Sequence, residues 1–379
     1  MNGLNFFVLS MLTENSGHLL RDDLFWVKNL IERGERVTIL TSKESILNIS
    51  IKINSKENCE FKFFKDWNWL KEINYRLFLL HRVVKSGRIK NSVLIIQGFE
   101  ELSILLLLFI IRKNGNKIIL VHTNNLSPER MERGGILLEF ILRQIFKKCD
   151  FICYHSDYVF KRMLDIIGGA DNYRKLIRVK YHLFNKPFGS KMSIKEDSII
   201  SFFGPTMPSK PILDFCNLMK ADNHGNGKFK YRIVNVSDSV RYEIIAIFGN
   251  NNKINFINEY LEEEEYIELI RTSSYVFLPH NRLYEGKLSG IFCDSISNSV
   301  PVISDLIEPI IEYFKTYGPM GYIFDFDKNQ NWTKEFLTDY DDNLYESFKL
   351  SMKNCQISHQ EVRIIEEFMT TLENFSKYT

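Results

Sequence analysis

Ser289 and Gly290 close a polar loop that leaves an apolar strand, Tyr275–Leu278, and enters a helix over Ile291–Asn298, followed by a strand over Val300–Ile303. A strand, loop and helix N-terminus in that order leave backbone N–H groups unpaired and converging on one spot. The positive end of the helix dipole adds to them, which suits a phosphate or diphosphate. Gly290 lets such a ligand approach closely, because no Cβ stands in the way. Asp294, one turn into the helix, is placed to accept hydrogen bonds from sugar or ribose hydroxyls. Glu285, nine residues earlier, offers a second carboxylate for the same work. His280 and Asn281 follow Pro279, where either can touch the same ligand. Lys210 stands between a strand and a helix, so its ammonium can pair with an anionic leaving group as charge develops. In the first half, Gly17 and His18 form the first strand–helix loop, where the backbone can approach a substrate. His122 ends a strand ahead of Thr123-Asn124-Asn125, a position from which it can meet sugar hydroxyls or act as a base. Each residue also has a plainer reading: a helix cap for Ser289-Gly290, a solvated loop side chain for Lys210, a structural histidine for His122.

The elements that must position these groups alternate between strand and helix. In the first half, strands are expected at Leu4–Ser10, Arg36–Thr41, Val93–Ile96, Lys117–His122 and Phe151–Tyr154. Helices fall at Asp22–Arg33, Glu101–Lys113 and Asp157–Ile166, the last capped by Ser156. Pro187 and Gly189 break the pattern within Tyr181–Glu196. The alternation then restarts with strands at Ser198–Gly204, Tyr231–Val236, Lys253–Asn258, Tyr275–Leu278 and Val300–Ser304. Helices are expected at Pro211–Met219, Ser239–Phe248 and Glu262–Ile270, with a terminal one at His359–Lys377. Helical crossovers of this length imply parallel, doubly wound sheets. The expected architecture is therefore α/β: two Rossmann-like domains in tandem, with ligands in a cleft at the carboxyl ends of both sheets. Residues 1–187 form the first domain, 188–197 a linker, 198–358 the second, and 359–379 a helix that can pack back on the first.

A length of 379 residues suits two domains of this kind, and 45% hydrophobic with 25% charged residues is ordinary for a globular protein. The six cysteines include no CxxC pair, so a reduced, cytoplasmic setting without a zinc site is expected. MNGLNFFVLSML lacks a basic start and a cleavage site, and no signal peptide is expected. The apolar run Leu102–Ile111 is too short to span a bilayer and reads as a buried helix. A net charge of +2 conceals an asymmetry: residues 1–190 hold 30 Lys+Arg against 19 Asp+Glu, whereas residues 191–379 hold 19 against 28. A basic first half suits an anionic membrane surface, and Tyr75–Lys90, basic on one face and apolar on the other, suits it best. A solvated helix packed on the sheet explains that segment equally well. Nucleic acid is not expected, because no recognised motif appears. GxxxxGK[ST], HExxH and GxSxG are all absent, which removes NTPase, zincin and hydrolase readings. Asp325 and Asp327 form a DxD late in the chain, and no metal site is expected from it.

Three segments together resemble the bacterial glycosyltransferases of the two-domain GT-B fold, near the family-4 enzymes that build surface polysaccharides. They are Ile119–Leu164, with LVHTNNLSPER and CDFICYHSDYVFKRML; Ser198–Asp214, SIISFFGPTMPSKPILD; and Ile254–Ser304, with its acidic helix, LP turn, Ser-Gly and PVI strand. The resemblance implies a transferase, metal-independent and retaining, with His122, Lys210 and Glu285 in catalysis. Gly17, His18, Gly204, His280, Ser289, Gly290 and Asp294 would then bind the donor, a nucleotide sugar, with a lipid-linked glycan as acceptor. The chain departs from the family at Pro205, where an arginine is usual, in the Glu285–Asp294 spacing, and in a first loop reduced to Ser16-Gly17-His18. These departures keep open a non-catalytic scaffold that binds a sugar or a partner, and an epimerase on the same fold.

Overall fold

The computed structural model describes residues 5–10, 18–42, 59–64, 89–97, 101–111, 115–121, 126–168, 170–181, 183, 198–207, 210–225, 227–258, 261–339 and 341–376. The chain divides into two compact units. One comprises Met1–Leu126, Arg130–His182 and Glu361–Thr379; the other comprises Ser127–Glu129 and Leu183–Gln360. The division falls inside the Pro- and Gly-containing segment marked in the sequence, and the last helix belongs to the first unit.

Seven strands form the first sheet: β1 (Asn5–Ser10), β2 (Arg36–Ser42), β3 (Cys59–Phe64), β4 (Val93–Gln97), β5 (Lys117–Val121), β6 (Phe151–Tyr154) and β7 (Leu176–Arg178). Their order is β3-β2-β1-β4-β5-β6-β7, and every pairing is parallel. A parallel sheet needs cover on both faces. Helices His18–Glu32 and Glu361–Ser376 cover one, with Trp26 edge-on to Phe368 at 4.8 Å. Glu101–Ile111, Pro128–Lys148 and Asp157–Ile167 cover the other. Ser156 caps the last of these, its hydroxyl accepting from the Val159 N–H at 3.3 Å. Among its described side chains, the apolar helix Glu101–Ile111 buries Ile104 and Leu108 but leaves Leu102 and Phe109 exposed. Tyr75–Lys90 lies outside the described residues except for its last two.

The second sheet holds β8 (Ile199–Phe203), β9 (Lys230–Val234), β10 (Ile254–Ile257), β11 (Tyr275–Leu278), β12 (Val302–Asp305) and β13 (Gly321–Phe324). The order β10-β9-β8-β11-β12-β13 is again parallel throughout. An aromatic core packs one face, with Phe277 stacked on Phe326 at 5.5 Å and Trp332 against Phe326 at 4.4 Å. Helix Asp342–Ser358 is tied to helix Gly290–Ser297 by the Gln356 amide, which donates to the Ile296 carbonyl at 2.6 Å.

Candidate functional site

In the second sheet the order of strands reverses between neighbours β8 and β11. Such a switch point leaves an open place beyond the carboxyl ends of the two strands, where ligands of this fold bind. Both strands end in a proline turn: Gly204-Pro205 after β8 and Pro279 after β11. Past Pro205, Met207 and Lys210 form an antiparallel bridge, with the Lys210 N–H donating to the Met207 carbonyl at 2.7 Å. That bridge fixes where the lysine side chain starts. Beyond Pro279, the Asn281 side chain accepts from the Leu283 N–H at 3.0 Å and caps a short turn, Arg282–Tyr284. The turn lays the Tyr284 ring against His280, with ring centroids 4.0 Å apart.

Tyr284 is the hub of the site. The Lys210 ammonium lies 5.2 Å from its ring centroid and the Lys287 ammonium 5.5 Å. Burial pushes its phenol up to about 12, although a hydrogen bond with Ser289 works the other way. The Ser289 hydroxyl also accepts from the Phe292 N–H at 3.3 Å, capping helix Gly290–Ser297. The cap reading of Ser289 thus holds. The N–H groups of Gly290 and Ile291 point out of the same helix end, and no hydrogen bond among the described residues uses them.

Two basic side chains shift one another at this spot. Burial, then repulsion from Lys287, lowers Lys210 from 10.5 to about 8. Burial, then Lys210 and Lys287, hold His280 well below the usual imidazole value, so its ring is neutral at pH 7. Neither group feels a carboxylate among these influences. His280 is 1% exposed, and neither ring nitrogen has a hydrogen-bond partner among the described residues. A buried imidazole left in that state is costly unless something else supplies the bond.

The other expected residues are placed as follows. A Cβ on Gly204 would lie 2.1 Å from the Asn235 carbonyl oxygen, so the glycine is required by the neighbouring chain at the end of β9. Asp294 is buried and accepts from the Tyr266 hydroxyl at 3.2 Å, and the Tyr266 ring packs edge-on against Phe203 at 5.4 Å. Its carboxylate is therefore part of the helix packing beside β8. Glu285 ends the Arg282–Tyr284 turn, directly between Tyr284 and Gly286. Gly17 and His122 lie outside the described residues, and of His18 only the backbone, opening helix His18–Glu32, is described. At the switch point of the first sheet, where Ser10 on β1 pairs with Gln97 on β4, the Gln97 amide donates to the buried Asp23 carboxylate. Neighbouring Asp22 is held well above the usual carboxylate range by burial and then by Asp23.

Sequence reasoning missed Tyr284, Lys287 and a carboxylate cluster at the same edge of the second sheet. Asp214 opens helix Leu213–His224, Asp305 ends β12 and Asp327 follows β13. Burial, then Asp305 and Asp327, raises Asp214 to about 6. Asp325, which also acts on Asp305, pairs with Lys328 at 3.0 Å. Among the described residues no group of three metal-ligating side chains converges, and no helix is long and apolar enough to cross a membrane.

No protein-family model matches the sequence, and no curated protein does. Solved structures match the fold over its full length. HepE of Anabaena, in complex with UDP and glucose, has a TM-score of 0.69 at 12% identity, covering 99% of this chain and 100% of its own. Sucrose-phosphate synthase from Thermosynechococcus elongatus gives 0.72 at 10% identity, with 99% and 100% covered. A TarM variant of S. aureus, in complex with fondaparinux, alpha-GlcNAc-glycerol and UDP, gives 0.70 at 11%, with 98% and 99% covered. At such identities the likeness is one of fold: two Rossmann-like domains in tandem, the GT-B arrangement.

Proposed function

We propose that the chain is a glycosyltransferase. Its second unit binds a nucleotide-sugar donor, and its first binds a lipid-linked glycan acceptor in the building of a bacterial surface polysaccharide such as O-antigen, capsule or exopolysaccharide. The observation that supports this most is the half-buried Lys210 ammonium, whose shift comes from burial and Lys287 and from no carboxylate among the described residues, at the same sheet edge as the N-terminus of helix Gly290–Ser297. Positive groups so placed suit the two phosphates of a nucleotide sugar, and the similar folds with bound UDP agree with that choice. The basic first half suits an anionic inner membrane face, where a lipid-linked acceptor would lie.

In the reaction, the bond between the sugar's anomeric carbon and the β-phosphate oxygen breaks, and an acceptor hydroxyl oxygen takes the phosphate's place. Negative charge builds on the leaving diphosphate. Lys210 and the helix N–H groups offset it, so the reaction needs no metal ion. The acceptor proton passes to the departing phosphate on the same face, which keeps the anomeric configuration.

The test is a thermal-shift panel of UDP, GDP, CMP, ADP and TDP, with and without EDTA, followed by turnover with the nucleotide sugar of whichever base binds. Millimolar ligand at micromolar affinity stabilises by about 4 kcal/mol. Stabilisation that survives EDTA and is lost in Lys210→Ala supports the reading. Binding with no transfer or hydrolysis of any sugar would leave a non-catalytic scaffold instead.

A further inference from the structure

Helices Glu101–Ile111 and Pro128–Lys148 lie side by side over one face of the first sheet. The Arg130–Glu101 ion pair, at 2.6 Å, joins them near their starts, and the Lys148 ammonium, 3.9 Å from the Phe109 ring centroid, joins them at their ends. Ile104, Leu108, Leu142, Ile145 and Phe146 point inward and fill the core. Other apolar side chains of the pair stand in water: Ile136 is 88% exposed, Leu137 69%, Phe140 57% and Phe109 53%. Gly135, non-helical at φ 52°, immediately precedes the first two, so they open the second helical piece at a corner. Phe140 follows one turn later on the same side. Apolar surface left in water gains nothing from folding, and a contiguous patch of it marks a place of contact.

Charge indicates the partner. Lys147, which is exposed, and Lys148 end the same helix, and the Lys175 ammonium donates to the Lys147 and Cys149 carbonyls, each at 3.2 Å. Lysine carries its charge on a long apolar stem, so the ammonium can stay among headgroups while the stem and a ring beside it lie deeper. Apolar tips flanked by lysines suit the plane of an anionic bilayer. A second copy of the chain suits them less. A stable dimer takes roughly 20–30 residues a side, and an isologous contact through this face would bring two sets of lysines to one interface. The position fits as well. Helix Pro128–Lys148 follows β5, so it starts at the carboxyl edge of the first sheet, and Ile136 lies only about 12 Å along it. That is the edge at which ligands of this fold bind.

We propose that Ile136, Leu137, Phe140 and Phe109, with Lys147 and Lys148 beside them, form the surface by which the chain docks on an anionic lipid bilayer. This rests on the membrane-facing part of the functional reading and names the surface it needs, in competition with the segment Tyr75–Lys90. The apolar tips enter the boundary between headgroups and acyl chains, and the lysines pair with lipid phosphates above them.

Co-sedimentation of the full chain with vesicles decides it, using phosphatidylcholine alone and an equal mixture with phosphatidylglycerol. The wild type should partition onto the mixture and far less onto phosphatidylcholine, and added salt should weaken the binding. Ile136→Ser, Leu137→Ser and Phe140→Ser together should lower partitioning onto the mixture at least about tenfold. Lys147→Gln with Lys148→Gln should lower it by about fivefold per lysine. All these side chains except Lys148 are exposed, so the melting midpoint of each variant should match the wild type and exclude lost folding as the cause. A wild type that stays in the supernatant with both vesicles overturns the proposal. So does a triple serine variant that binds as well as the wild type, or binding lost only when Arg76, Arg82 and Lys85 are changed to Gln. Sedimentation velocity without lipid supplies one more refutation: a wild-type dimer that the triple variant abolishes would mean that a second copy covers the patch. The thermal-shift panel judges the donor site separately. Nucleotide binding without vesicle binding sinks this inference alone, and vesicle binding without nucleotide binding sinks the donor reading alone.

Discussion

Lys210→Met should make the unliganded protein more stable while destroying its affinity for diphosphate. The lysine falls from 10.5 to about 8 because burial and Lys287 penalise its ammonium. At about 1.4 kcal/mol per pH unit, such a fall amounts to about 3 kcal/mol against folding at pH 7. Residual hydration of the half-buried side chain reduces that to about 1–2 kcal/mol. Methionine keeps most of the stem's contacts and removes the charge. In a unit of this size the gain corresponds to about 3–6 °C in the melting midpoint. The sign depends on pH in a definite way. Between about 8 and 10.5 the unfolded chain holds a proton that the folded one has released. Wild-type stability therefore rises with pH across that window, and the variant's advantage should shrink from pH 7 to pH 9.5. Differential scanning calorimetry at both values reads this directly, and saturating diphosphate should reverse the order of the two proteins. A variant no more stable than wild type at pH 7, or an advantage that does not change with pH, would refute the argument that this lysine is held uncompensated for a ligand.

Other consequences are simpler to state. Asp214→Asn should raise the midpoint at pH 7 by about 2–4 °C, for about 1 kcal/mol. Its carboxyl is raised to about 6 by burial and by Asp305 and Asp327, so the folded state holds a proton between 3.8 and 6 that the unfolded state lacks. Acidification from pH 7 to pH 5 should then stabilise the wild type relative to Asp214→Asn, which paired melts at the two values check. Gly204→Ala should cost more than about 2 kcal/mol in urea unfolding, because its methyl meets the Asn235 carbonyl and nearby Val234 carbonyl, both main-chain atoms with little room to move. Asp294→Ala should destabilise by about 1–3 kcal/mol, because the part-buried Tyr266 hydroxyl loses its acceptor. Tyr266→Phe combined with it should recover part of that loss, which a double-mutant cycle measures.

Much of the second unit's site could be read in the sequence because it is local. A strand, a proline turn, a serine cap and a helix follow one another from Tyr275 to Ser297, and each leaves a mark on residue type. Lys210 was legible for the same reason, lying just past the end of a strand. Lys287 was not, since a lysine in a polar loop looks like any solvated side chain until the fold brings Tyr284 beneath it. Nor does any sequence pattern say that β8 lies beside β11, which is what joins the two loops. Helix Pro128–Lys148 shows a different kind of failure. Gly134 and Gly135 both disfavour helix, and Gly135 is non-helical at φ 52°, so local preference argues for a break. The segment does break there, into two helical pieces that meet at a kink at Gly135, and the burial of Leu142, Ile145 and Phe146 against the first sheet holds the second piece.

Where the second unit tolerates uncomfortable chemistry is itself informative. Asp222 is a buried carboxylate whose oxygens accept from the Lys228 and Phe229 N–H groups and from the Tyr231 hydroxyl, so its burial is fully compensated. It lies at the amino-terminal side of β9, away from the switch point. The carboxyl edge of the same sheet differs at the switch point. Lys210 follows β8 and His280 follows β11, burial is the first cause of the shift in each, and neither ring nitrogen of His280 has a partner among the described residues. Asp305, at the end of β12, is raised by burial even though the Leu306 and Phe326 N–H groups donate to it. Two buried basic side chains brought to one switch point without the bonds that Asp222 has mark it as a place where a ligand completes the structure.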